Sequence, residues 1–111
     1  MIASEQDVMD AVRDARGRTF EIVAGGSKRT YGRPARCDTV LNVAGLNGIV
    51  KYEPEELVLT VRPATKVAEI AALLEEKHQR LGFDPADWGP LLGAEADAAT
   101  IGGVLSADTN G

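Results

Sequence analysis

The chain has 111 residues, 44% of them hydrophobic and 26% charged, which is enough for one small globular domain and excludes a disordered segment. Its 12 Lys and Arg residues against 17 Asp and Glu give a formal net charge of -5. That balance argues against a general nucleic-acid binder, which needs a basic face, but leaves room for a local anion site built from backbone N–H groups.

The first element in chain order is a helix over "SEQDVMDAVRDARG". Ser4 is positioned to cap it, acidic residues fill its first turn, and Val8, Val12 and Ala15 form one apolar stripe that ends at Gly17. "TFEIVA" and "TVLNV" read as strands, followed by "GIVKYEP" and "ELVLTVRP" on either side of a Pro54-Glu55-Glu56 turn. Leu57 to Val61 is apolar at nearly every position, the pattern of a strand buried on both faces. "TKVAEIAALLEEKHQRLG" is the strongest helix, capped by Thr65 and ended by Gly82. Its apolar face holds Val67, Ile70, Ala71, Leu74, His78 and Leu81. A loop with two prolines and two glycines follows, and a short helix is expected from Thr100. The order α-β-β-β-β-α-loop-α specifies an α+β fold. The last residues, "TIGGVLSADTNG", lack a charged final turn and read as the interior of a longer polypeptide.

Cysteine and histidine counts restrict the chemistry. Cys37 is the only cysteine and His78 the only histidine, so neither an internal disulfide nor a Cys- or His-built zinc site is available. No apolar run approaches the roughly 20 residues of a membrane-spanning helix. The acidic N-terminus lacks the apolar core of a signal peptide, and a cytoplasmic protein is the expectation.

The stretch "VAGGSKRTYG" invites a phosphate-binding reading. Gly25, Gly26 and Gly32 do not have the spacing of a Walker loop or of a Rossmann fingerprint, and a strand rather than a helix follows. Two readings stay open: a loop whose backbone N–H groups wrap an anion, or a glycine-rich turn beside a solvated basic patch formed by Lys28 and Arg29. A second glycine pair, Gly102-Gly103 in "ATIGGVLSADTNG", is either another point of close backbone approach or ordinary helix packing.

Taken together, "VAGGSKRTYG", "GIVKYEPEELVLTVRPATKVAEIAALL" and "ATIGGVLSADTNG" resemble, over nearly the whole chain, the FAD-binding domain of the vanillyl-alcohol oxidase and p-cresol methylhydroxylase flavoproteins. Within that group they are similar to the FAD-binding subunits of the bacterial glycolate oxidase type. The resemblance implies the small α/β lobe of a PCMH-type FAD-binding domain, residues 1–111, with the second subdomain absent. It implies FAD as cofactor, a small 2-hydroxy acid as substrate, and other glycolate oxidase subunits, one of them an iron–sulfur protein, as partners. The location it implies is cytoplasmic, or peripheral at the inner membrane through those partners.

By the same resemblance the FAD pyrophosphate is wrapped by Ala24, Gly25, Gly26, Ser27, Lys28, Arg29 and Thr30, with Gly32 closing the loop. Thr100, Ile101, Gly102 and Gly103 lie along the flavin, Pro90 and Leu91 near its ring, and Pro63-Ala64-Thr65 serves as supporting structure. Some members attach FAD to a histidine of the first loop; this loop has none, so the flavin is expected to be non-covalent. Catalytic residues are expected outside this chain. A second function remains in view, that of a degenerate flavin domain that assembles a complex and holds no FAD.

The other conspicuous side chains have plainer readings. His78 sits on an apolar helix face without a catalytic partner and reads as a packing histidine. Cys37 reads as a packed thiol, Trp88 as cover for the core edge, and Glu53, Glu55 and Glu56 as a solvated turn. Tyr31 either packs on a cofactor or shields a strand end.

Overall fold

The computed structural model describes residues 2–26, 36–85, 90–91 and 96–107. In order, the elements are helix α1 (Glu5–Asp14), strands β1 (Phe20–Val23), β2 (Thr39–Asn42) and β3 (Ile49–Glu53), a 3₁₀ turn (Pro54–Glu56), strand β4 (Val58–Val61), and helices α2 (Val67–Glu75) and α3 (Ile101–Ala107). The mixture of helices and small sheets agrees with the α+β expectation.

Helix α1 starts where its chemistry directs. Ser4 Oγ accepts the Asp7 N–H at 3.2 Å, and Asp7 in turn accepts the Ala3 N–H on Oδ2 at 2.9 Å. This reciprocal arrangement satisfies two donors around the helix start. Arg62 donates to the Ala3 carbonyl at 2.6 Å, and a Cβ on Gly45 would overlap the Ile2 carbonyl oxygen, so the N-terminal segment lies flat on the loop after β2. Of the expected stripe, Ala15 is buried but Val12 is exposed. Gly17 lies beyond the Ala15 cap and takes the left-handed conformation, φ +79°.

The strands pair as two ribbons. β1 and β2 run parallel, with Phe20 opposite Thr39 and Val23 opposite Asn42. β3 and β4 run antiparallel, with Tyr52 opposite Leu59 and a register shift between Ile49 and Lys51. The expectation that β4 is buried on both faces is overturned: Leu59 and Val61 face the core while Val58 and Thr60 face out. Leu57 belongs to the turn, at φ +57° and 81% exposed.

The core is formed by Ile70 and Leu74 of α2 with Ile101 of α3. Ile49, Tyr52, Leu59, Val61, Val67, Leu81 and Phe83 pack around them. Each fully buried aliphatic side chain contributes about 1.5–3 kcal/mol, so this cluster ties the β3–β4 ribbon to both helices.

Helix α2 is shorter than its apolar periodicity predicts. It ends at Glu75, and the chain leaves through a Schellman turn: Gln79 N–H donates to Leu74 C=O at 2.9 Å and His78 N–H to Glu75 C=O at 3.0 Å. His78 occupies the left-handed position, φ +56°, and is exposed, which corrects its reading as a packing histidine. The stop has a cause in Gln79, which pairs with Tyr52 Oη and donates to the Pro54 carbonyl at 2.8 Å. The amide draws the chain back onto β3, and Leu81 and Phe83 reach the core from an irregular segment. Thr65 does not cap α2 either. Its N-cap is Lys66, without a side-chain bond.

Candidate functional site

The two glycine elements singled out in the sequence meet in the fold. At the end of β1, Gly25 runs so close to Ala98 that a Cβ there would overlap the Ala98 carbonyl oxygen. Ala98 and Ala99 lead directly into Thr100-Ile101-Gly102-Gly103. Ala24, Gly25 and Gly26 therefore lie beside the entry to α3, although more than 70 residues separate them along the chain.

The second element is fixed by a backbone ladder. Val67 N–H donates to Ala99 C=O at 3.0 Å, Ile101 N–H to Thr65 C=O at 2.9 Å, and Gly102 N–H to Pro63 C=O at 2.8 Å. Lys66 and Thr100 form the antiparallel bridge at its centre. Gly102 is required by space: a Cβ would come within 2.9 Å of both Pro63 Cβ and Pro63 O. Thr100 caps α3, accepting the Gly103 N–H on Oγ1 at 3.2 Å and the Val104 N–H on its carbonyl at 3.0 Å.

Beneath the ladder lies Thr65, fully buried at 0% exposure. Its hydroxyl accepts the Gly48 N–H at 2.9 Å and donates to the Arg62 carbonyl at 2.7 Å. Arg62 N–H reaches Gly48 C=O at 3.0 Å and Ala64 N–H reaches Leu46 C=O at 2.8 Å. The Pro63-Ala64-Thr65 segment is thus the rigid layer between the loop after β2 and the Thr100–Gly103 segment.

The two elements differ in what they can offer a ligand. The N–H groups of Ile101, Gly102 and Gly103 are all taken by protein acceptors. Among the described residues, no hydrogen bond uses the N–H groups of Ala24, Gly25 or Gly26, and Gly26 turns through φ +70°. Successive N–H groups without a described partner around a left-handed turn match the geometry of an anion nest. The first element therefore fits the backbone side of a phosphate site, and the second fits a close-packed wall beside it.

The remaining predicted positions divide. Ser27, Lys28, Arg29, Thr30 and Gly32 lie outside the described residues, as do Tyr31 and Trp88. Pro90 and Leu91 form an exposed turn, Leu91 at 81%, and no described hydrogen bond joins them to the glycine junction. Sequence reasoning missed Ala98 and Ala99, the residues against which Gly25 packs. Their signal was the small side chains ahead of Thr100, which allow backbones to approach. Cys37 is exposed rather than packed. Among the described residues, no cluster of His, Cys, Asp and Glu could hold a metal ion, and no helix is long and apolar enough to cross a membrane.

Comparison with known proteins returns a family and a relative. The sequence profile described as FAD binding domain matches residues 1–111. Glycolate oxidase subunit GlcE of Escherichia coli (strain K12) is 33% identical over 102 residues, covering 91% of this chain and 26% of the relative. The chain thus spans about a quarter of that relative's length. No solved structure gives a significant match.

Proposed function

The chain belongs to the FAD binding domain family, and from that premise we propose that it forms the pyrophosphate side of a non-covalent FAD site in a flavin-dependent 2-hydroxy-acid dehydrogenase subunit. The observation that carries this reading is the junction of Gly25 with Ala98, which sets donor groups without described partners against a fixed wall. Ala24, Gly25 and Gly26, continued by Ser27, Lys28, Arg29 and Thr30 and closed by Gly32, surround the pyrophosphate. Thr100, Ile101, Gly102 and Gly103 bound the site with their own N–H groups satisfied inside the protein, and Pro90 and Leu91 extend toward the ring.

The division of labour follows from charge. A pyrophosphate is an anion, and backbone dipoles aimed at it stabilise it without a net basic surface, which suits a chain of net charge -5. A bound flavin supplies the two-electron acceptor that oxidation of a CH–OH group requires. The residues of this chain hold and orient that group. Likeness to a glycolate oxidase subunit supports a small 2-hydroxy acid as substrate and further subunits, among them an iron–sulfur protein, as partners.

Gly26→Val in the intact protein tests the reading, since a β-branched residue at φ +70° is strongly disfavoured. Flavin content measured by absorbance after gel filtration is expected to fall to near zero, with the partner subunits still bound. Unchanged flavin content would refute the site and favour a purely assembling domain.

A further inference from the structure

Two surface features away from the glycine junction are complementary. Beside α1 lies an apolar groove of about 650 Å³, floored by Met9, Val12 and Phe20 and edged by Arg13, Arg16 and Arg18. Met9 and Val12 are 56% and 45% exposed. Arg13 is 3.8 Å from Asp10, but Arg16 and Arg18 have no ion-pair partner among the described residues. Asp10 offsets Arg13 at the groove's edge, while Asp14, two residues on from Val12, faces away from it at 100° per residue.

The second feature is Leu57. It is 81% exposed, sits in the left-handed conformation at φ +57°, and is followed by Val58 at 47% exposure. Glu55 and Glu56 precede it, both exposed. Glu53 is matched by Lys51 at 3.2 Å, which leaves Glu55 and Glu56 as the free charge around the knob. A bulky apolar residue in a backbone region that favours glycine, held out in water, gains nothing from the contacts this chain gives it.

We propose that the chain self-associates head to tail, with the acid-flanked Leu57 knob of one copy seated in the arginine-edged groove beside α1 of the next. Leu57 and Val58 cover Met9, Val12 and Phe20, while Glu55 and Glu56 meet Arg16 and Arg18. The two patches are different, so the contact is heterologous, and it propagates unless the rotation closes it into a ring. It is small, so the association is weak and sensitive to salt.

Charge reversal with mixing tests it. One variant of the intact protein carries Arg16→Glu and Arg18→Glu, the other Glu55→Lys and Glu56→Lys. All four positions are exposed, and far-UV circular dichroism verifies that both variants fold. Sedimentation is followed from about 10 μM to about 1 mM, the range suited to a small interface. The native protein is expected to associate with rising concentration and to dissociate in high salt. Each variant alone should associate at least roughly fivefold more weakly, because like charges now face each other. An equimolar mixture should recover the native behaviour, because each reversed patch then meets an opposite one. A native protein that stays monomeric throughout overturns the proposal, including the case in which an added acidic peptide binds the groove. Association that both variants retain, or a mixture that fails to recover, overturns it as well.

Discussion

Gly25 lies directly against the carbonyl oxygen of Ala98, with no room for even a methyl group between them. The reason is space and not conformation, because the backbone at Gly25 is outside the left-handed region. Gly17 is the reverse case, at φ +79° with nothing within 4 Å of a built Cβ. Gly25→Ala is therefore expected to push the end of β1 away from the entry to α3. The stability cost is about 1–3 kcal/mol by overpacking, and FAD affinity should drop at least roughly tenfold as the donor groups shift. Gly17→Ala should cost about 1 kcal/mol through backbone strain alone and leave FAD affinity unchanged. Urea unfolding and isothermal titration with FAD, run on both variants, separate the two effects.

Thr65 holds three segments together through one buried hydroxyl. Thr65→Val keeps the shape but leaves the Gly48 N–H and the Arg62 carbonyl with one partner fewer. The Arg62 carbonyl keeps the Thr65 N–H at 3.1 Å, so the Gly48 N–H is the group left stranded, at a cost of about 1–3 kcal/mol. A loss of about 1–3 kcal/mol is expected, with Thr65→Ser retaining most of the native stability. The urea midpoints of the pair decide the matter: equal midpoints for Val and Ser would show that packing, not the hydroxyl, fixes this layer.

The sequence legibly specified the local elements and hid the long-range ones. Ser4 capping α1 and Thr100 opening α3 were readable because caps depend on residues three or four positions away. The meeting of Gly25 with Ala98 was not readable, because no periodicity links positions so distant; only the likeness of whole ordered segments brought the two glycine elements into one site. Thr65 was misassigned for a related reason. A threonine ahead of a helix has the composition of a cap, but here the Gly48 N–H and the Arg62 carbonyl compete for its hydroxyl and win. Leu57 misled in the other direction, since an apolar run cannot reveal that its first member sits on a left-handed turn.

Asp7 gives α1 a pH dependence of known sign. The Ala3 N–H, followed by the Ser4 hydroxyl, holds its carboxyl below the ordinary carboxylate range. A group whose folded pKa is depressed adds stability above its unfolded value, near about 3.9 for Asp. That contribution is lost as pH falls through the lowered folded value. Thermal unfolding followed from about pH 5 downward should therefore show an acid-side decline that Asp7→Asn makes shallower. At pH 7 the same substitution should lower the melting temperature, as a neutral amide oxygen accepts the Ala3 N–H more weakly than a carboxylate and carries no charge to favour the helix N-terminus. An Asp7→Asn profile parallel to the native one at every pH would show that other carboxylates carry the acid sensitivity.

His78 offers the cleanest separation of structure from chemistry. A lone histidine on a helical pattern invites assignment as a base, yet the chain places it exposed at the left-handed position that ends α2. A non-glycine residue there costs about 1–2 kcal/mol, partly offset by the greater unfolded-state freedom of glycine. His78→Gly is thus expected to raise stability by about 0.5–1 kcal/mol, with Gln79 still drawn back to Tyr52 and Pro54. The oxidation of 2-hydroxy acids proposed for the intact protein should keep its rate and its pH profile. A rate lower by roughly a hundredfold or more, the typical contribution of a general base, with the fold intact, would instead place this histidine in the reaction.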